Sequence, residues 1–219
     1  PLVRKLLEAA PDAVLVRHLA GWKILREARP DLELFGDYAL NVANPLTARL
    51  LRRAGFRRLT PSYDLNAEQL LGLLAAAPPA WFEITAHQYM PLFHMEHCVF
   101  CRFLSAGTDF TNCGRPCERH AIALEDRRGF RHPVRADAGC RNTVFHAAAQ
   151  SASEYLPGFL RAGARRFRVE FLEERAADVR QILWGYQAIL RGEEDGRGLW
   201  RRLRAIHKLG VTRGSLDHE

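Results

Sequence analysis

Five cysteines lie in one stretch, spaced Cys98-x2-Cys101-x11-Cys113-x3-Cys117-x22-Cys140, and the chain has no others. Three chemistries suit such a cluster. Two close pairs, Cys98/Cys101 and Cys113/Cys117, match the knuckles of a zinc site closed by four thiolates. An iron–sulfur cluster also needs four thiolates, often with one ligand far along the chain. The Cys98-x-x-Cys101 step has the spacing of a redox dithiol, but no thioredoxin-like pattern surrounds it. The spacing points to a metal and leaves zinc and iron–sulfur both open, with one thiol in excess.

The rest of the chain argues against disulfides. At 219 residues it can bury a sizeable core without cross-links. Five is an odd number, and clustered cysteines in a reducing compartment are more often ligands. A cytoplasmic location is therefore expected. No apolar run reaches the roughly 20 residues that cross a bilayer, so no membrane span is expected. The opening Pro-Leu-Val runs straight into a helical pattern without methionine, which reads as the start of a fragment. The formal charge of +7 is carried mainly by arginine. That suits phosphate or carboxylate partners, RNA among them, and equally suits a plain arginine-rich surface.

Patterning supplies the elements that must position the cysteines. Leu2–Ala10 has helical spacing. Short apolar runs at 12–17, 32–37, 56–60 and 81–86 read as strands. Helices are expected over 18–28, from Pro45 to Arg53 behind an Asn44 cap, and from the Asn66 cap to Ala76. Strand and helix alternate without a glycine-rich phosphate fingerprint. This predicts an α/β fold, a partial or distorted β/α (TIM-like) barrel, with chemistry at the strand ends. The cysteine stretch, about 94–140, follows the fourth strand as an inserted metal-binding loop. It includes a β-hairpin whose arms, 121–124 and 132–135, flank the turn 126–129. Beyond it come a helix over 153–162, a strand over 166–171 and a helix over 176–190. Residues 1–191 form the barrel portion. Residues 192–219 hold a charged connector (192–198), a basic helix (199–208) and a tail from Gly210 expected to be a disordered or truncated linker.

Several stretches together resemble the collagenase-like peptidase family U-32, along nearly the whole chain. They are GDYALNVAN (36–44), LTPSYDLNAEQL (59–70), FEITAHQYMPLFHMEHC (82–98), NCGRPC (112–117), RADAGCRNT (135–143) and GARRFRVEFLEE (163–174). The resemblance implies either RNA hydroxylation or oxygen-independent ubiquinone hydroxylation, with a [4Fe–4S] cluster on four cysteines. By position those ligands are Cys98, Cys113, Cys117 and Cys140, with Cys101 as the alternative. The family's Lys-Ile-Glu-Gly-Arg element is Arg168-Val169-Glu170-Phe171-Leu172 here, which keeps only the acid. The family label itself implies a peptidase.

Other residues carry two readings each. Glu83, on a strand facing inward, is a general acid/base or the partner of an arginine; Glu170 has the same choice. Arg115, Arg119 and Arg141, beside the cysteines, bind substrate, offset cluster charge or are solvated. His94 and His97 are spare ligands or local hydrogen-bonders. Asp37, Asn41 and Asn44 line a pocket mouth or cap helices. Ser62 has no His/Asp partners in sequence and no HExxH occurs, so neither serine nor zincin protease chemistry is supported. Trp200 with Arg201, Arg202 and Arg204 lies on RNA, or Trp200, Leu203 and Ile206 pack the helix. The leading expectation is an iron–sulfur enzyme hydroxylating RNA or a related aromatic ring with a small-molecule co-substrate. The alternatives are a metal-dependent peptidase and a non-catalytic domain around structural zinc.

Overall fold

The computed structural model describes residues 2–137, 139–206 and 211–217. Helix α1 (Leu2–Glu8) leads into β1 (Ala13–Val16), α2 (Leu19–Ala28), β2 (Glu33–Gly36), α3 (Pro45–Arg53), β3 (Phe56–Leu59), α4 (Ala67–Ala76) and β4 (Ile84–Gln88). Polar caps begin these helices. The Asn44 side chain accepts from the Thr47 N–H at 2.9 Å, with Pro45 already shaped for the first turn. Asn66 and Gln69 form a reciprocal capping box. Gly55 ends α3 at φ +92, a conformation that penalises a Cβ.

Strands β1, β2 and β3 pair in parallel in that order. A parallel bridge from Leu59 to Phe82 carries the order on toward β4. On its other side β4 pairs in parallel with β10 (Phe167–Val169), with an irregularity between Thr85 and His87. Leu34, Phe56, Leu59, Phe82 and Ile84 are at most 2% exposed. They anchor the main core, to which α4, α6 (Leu156–Arg161), α7 (Ala176–Leu190) and α8 (Gly196–Ile206) each contribute buried apolar residues. Burying such side chains stabilises by about 1.5–3 kcal/mol each.

Between β4 and β10 the chain builds a second sheet, antiparallel throughout. Its order is β5 (Pro91–Met95), β8 (Arg141–Phe145), β7 (Arg131–Asp137), β6 (Ile122–Glu125). Helix α5 (Val99–Leu104) packs on it around Phe100, Val134 and Val144. The hairpin is as expected, with Leu124 opposite His132. Its turn is held by Asp126, whose carboxylate accepts from the N–H groups of Arg128 and Phe130. The chain then returns through β9 (Ala149–Ser151), antiparallel to the end of β4.

The architecture is mixed α/β with several sheets, and no closed barrel forms among the described residues. Three expectations are corrected. The cysteine stretch is not simply a loop with one hairpin, because β5, α5 and β8 were unforeseen. The connector is shorter, since α8 begins at Gly196; His207 and Lys208 lie outside the described residues. The tail is not a loose linker over 211–217. Strand β11 (Val211–Thr212) pairs with β9 and Leu216 is 5% exposed; Gly210 lies outside the described residues.

Candidate functional site

The five cysteines gather beside the antiparallel sheet from α5, the loop after it and the β7–β8 turn, and all are free thiols. Cys98 caps α5, and its Sγ accepts the Cys101 N–H at 3.5 Å. Asn142 Nδ2 approaches the same sulfur at 3.9 Å while Asn142 Oδ1 accepts the Val99 N–H at 2.7 Å. This fully buried amide ties α5 to β8. Cys101, on α5, is buried and directs its thiol at the Gly107 carbonyl, 3.4 Å away. Cys113 sits in the loop after α5, where the Arg115 N–H donates to its sulfur at 3.4 Å and Ser105 Oγ donates to its carbonyl. A Cβ at Gly107 would lie 2.5 Å from the Asn112 carbonyl oxygen, so glycine lets the loop fold back here. Cys117 lies in a 3-10 turn and Cys140 in the turn between β7 and β8 at φ +61.

Burial, then the nearness of the other thiols, pushes the Cys101 and Cys140 thiols up. Beside them opens a cavity of ≈ 460 Å³ lined by Glu96, His97, Cys98, Cys101, Asp109 and Cys140. Among the described residues no three His, Cys, Asp or Glu side chains stand in a metal-holding arrangement. Arg115 pairs with Glu118 at 3.2 Å, Arg119 donates to the Gly114 carbonyl, and Arg141 lies 3.9 Å from Glu96. His94 is held by Thr143 at 2.9 Å.

A second cluster lies on the parallel strands. Asp37, just after β2, is buried and accepts from Arg17 and Arg168, each at 2.8 Å. Arg168, on β10, also reaches Glu83 at 2.7 Å and Glu170 at 3.3 Å. Glu83 and Glu170, proposed separately from sequence, thus meet on one guanidinium. Tyr63 donates to Glu170 at 3.4 Å, and its ring stacks on Tyr38 at 4.0 Å. Asn41 and Asn44 stay apart from this network. Asn41 ends a 3-10 turn and Asn44 caps α3.

A separate groove of ≈ 700 Å³ lies beside Arg17 of this network and Arg141 at the end of the β7–β8 turn. Arg17, Tyr38, Phe93, His94, Asp137 and Arg141 line it, with apolar residues of α1, β1 and α2. Arg141 follows Cys140, so one turn borders both the thiols and the groove.

A further buried group went unnoticed in the sequence. His87 is fully buried, with Nδ1 3.3 Å from the Tyr186 hydroxyl and Nε2 3.4 Å from Glu174. Tyr186 donates to the Ala86 carbonyl and pairs with Ser151 Oγ at 2.7 Å. Burial alone would raise the Glu174 carboxyl, but hydrogen bonds from His87 and from the Leu172 N–H outweigh it and hold the group low. A histidine near the end of β4, in the run ITAHQ, was the available signal. Ser151 is 1% exposed, which closes it to a substrate. On α8, Leu199 and Leu203 are buried and Arg213 lies over Trp200 at 5.4 Å, so packing accounts for this helix. No described helix is long and apolar enough to cross a membrane.

The model of the family described as peptidase family U32 matches residues 1–215. No curated protein and no solved structure matches the chain.

Proposed function

Since the chain belongs to peptidase family U32, we propose that it is an iron–sulfur enzyme that hydroxylates an aromatic ring, in RNA or in a related small substrate. The observation that carries this reading is the shared turn. Cys140 belongs to the thiol pole, and its neighbour Arg141 lines the groove with Tyr38 and Phe93. Cys98, Cys113, Cys117 and Cys140 would hold a [4Fe–4S] cluster, with Cys101 as the spare. The donor set fits: N–H groups already point at the sulfurs of Cys98 and Cys113, the contacts that tune such centres, and each thiol turns about a single χ1 bond. When bound, the cluster supplies one-electron chemistry beside the groove.

The chain's own residues bind and orient. Tyr38 and Phe93 offer aromatic faces to a ring. Arg17 and Arg141 draw an anionic group. Glu170, whose Oε1 accepts from the Tyr63 hydroxyl and from Arg168, serves as the general base, and Glu83 orients Arg168. A small-molecule co-substrate supplies the oxygen atom and accepts the two electrons that the ring loses as its C–H becomes C–OH. In this reading the parallel strands are part of a distorted β/α barrel within residues 1–191, residues 192–219 form an appended segment, and the reduced thiols belong to a cytoplasmic setting.

The test is iron, zinc and sulfide content after anaerobic purification, with a visible spectrum. About four irons and four sulfides per chain are expected, lost in Cys113→Ser and Cys117→Ser and kept in Cys101→Ser. One zinc without sulfide would make the site structural and sink the proposal.

A further inference from the structure

Four ligands leave one thiol over. Cys101 is buried on α5, with Cys98, Cys113 and Cys140 all near it. Two of these neighbours stand differently. Cys98 caps α5, where its sulfur accepts the Cys101 N–H at 3.5 Å and meets Asn142 Nδ2 at 3.9 Å. The Cys101 thiol is engaged instead with the loop that runs back from α5, donating to the Gly107 carbonyl at 3.4 Å.

Cys113 stands at that point of the loop. A Cβ built on Gly107 would lie 2.6 Å from the Cys113 Cα, so the two backbones touch. Cys113 is also the thiol close enough to hydrogen-bond the Cys101 side chain. Polar contacts within the loop hold this arrangement. Ser105 Oγ donates to the Cys113 carbonyl and accepts the Gly107 N–H, each at 2.9 Å, and Asn112 Oδ1 accepts the Thr108 N–H at 2.8 Å.

We propose that Cys101 is the resolving thiol of a redox-sensitive pair with Cys113, closing a reversible disulfide when hydrogen peroxide reaches the site without its metal. Cys113 is half-buried where Cys101 is buried, so it meets the oxidant first. Peroxide passes one oxygen to the Cys113 sulfur, giving a sulfenic acid and one water. The Cys101 sulfur attacks that sulfur. The S–S bond forms, the S–O bond breaks, and the hydroxide leaves with the Cys101 proton as a second water. Two thiols thus give up two electrons, and one peroxide becomes two waters. The cavity of ≈ 460 Å³ beside Cys98, Cys101 and Cys140 admits a molecule of this size. The disulfide spans only the eleven residues between Cys101 and Cys113, a loop already folded back by the contacts above. It keeps Cys113 from the irreversible step to sulfinic acid, and a dithiol reductant reopens it. The pairing rests on the ligand set given above and not on hydroxylation; it holds for zinc and for an iron–sulfur cluster alike.

The experiment exposes the full chain to a small excess of hydrogen peroxide, once as purified anaerobically and once after chelation of its metal. Free thiols are then blocked and disulfides located by peptide mapping with fragmentation. A Cys101–Cys113 disulfide is expected as the main product of the chelated chain, opened by dithiothreitol, after which metal is taken up again. Cys101→Ser should keep its metal on purification. After chelation and peroxide, its Cys113 should become sulfinic acid and reloading should be lost. Cys98–Cys101 as the main disulfide, or a mixture of pairings, would overturn the proposal. So would a Cys101→Ser chain that folds but holds no metal, since Cys101 would then be a ligand. The map of the natural chain decides the matter even where the variant does not fold. Zinc in place of iron would sink the hydroxylation reading and leave this pairing to be decided by the same map.

Discussion

The parallel strands and the antiparallel sheet solve stability differently. The parallel region shares a core fed by nearly every helix, whereas among the described residues the antiparallel sheet and α5 bury only Phe100, Val134 and Val144 as full core residues. So small a core does not fix a loop that runs from Ser105 to Cys113 by apolar burial. What remains there is polar: Asn142, the Ser105 hydroxyl and the turn around Asp126. The cysteines sit in the region that most needs a cross-link, and a metal ion would provide one.

The strongest way to break the contrast is Phe82→Ala. That ring is completely buried at the junction of β3 and β4, and its loss should cost about 3–5 kcal/mol, read as a lower midpoint in cooperative urea unfolding. Phe100→Ala should instead raise hydrogen exchange in α5 and β8 while leaving β1–β3 protected. If it destabilised both regions equally, they would be one cooperative unit. Next comes Asp37→Ala. It strips the buried carboxylate from Arg17 and Arg168 and should cost about 3 kcal/mol, less in the Arg168→Met background, where one of its two arginine partners is already gone.

A smaller effect concerns acid. Glu174 is held below its ordinary value in the folded chain. It therefore binds fewer protons than in the unfolded chain, and its contribution is complete above the ordinary glutamate value near ~4.3. That contribution disappears as pH falls through the lowered folded value. Glu174→Gln should flatten this acid limb of a stability-versus-pH curve; an unchanged limb would mean that the His87 contact does not form. Smallest is Asn66→Ala, about 1 kcal/mol through the lost cap of α4, seen as a modest shift in the urea midpoint.

The same two regions differ in how legible they were. Helices α3 and α4 begin where their asparagine caps placed them, because asparagine and proline act locally, and α7 runs where apolar spacing placed it. In the antiparallel sheet, β5 and β8 were missed. Their runs PLFHM and RNTVF lack strict alternation, and one flank is read only through the partner strand. Of the sites, the cysteines were evident from composition alone. That Glu83 and Glu170 share Arg168 was not, since the three lie on two strands brought side by side by pairing. The His87–Glu174–Tyr186 group was hidden for the same reason: His87 lies 87 and 99 positions before its two partners and no local pattern links them.

The pairing of β4 with β9, Gln88 opposite Gln150, has one more consequence. The chain departs from the parallel region at one of these residues and comes back at the other, so everything between them is a closed detour with a single doorway. Such a detour is exchangeable in principle. A short turn from Gln88 to Gln150 would shorten the chain without cutting any parallel strand, and a different module spliced at the same doorway would inherit the same groove wall. The thiol pole is thus an attachment to a scaffold that does not require it for connectivity, and evolution or an engineer can vary the one while keeping the other.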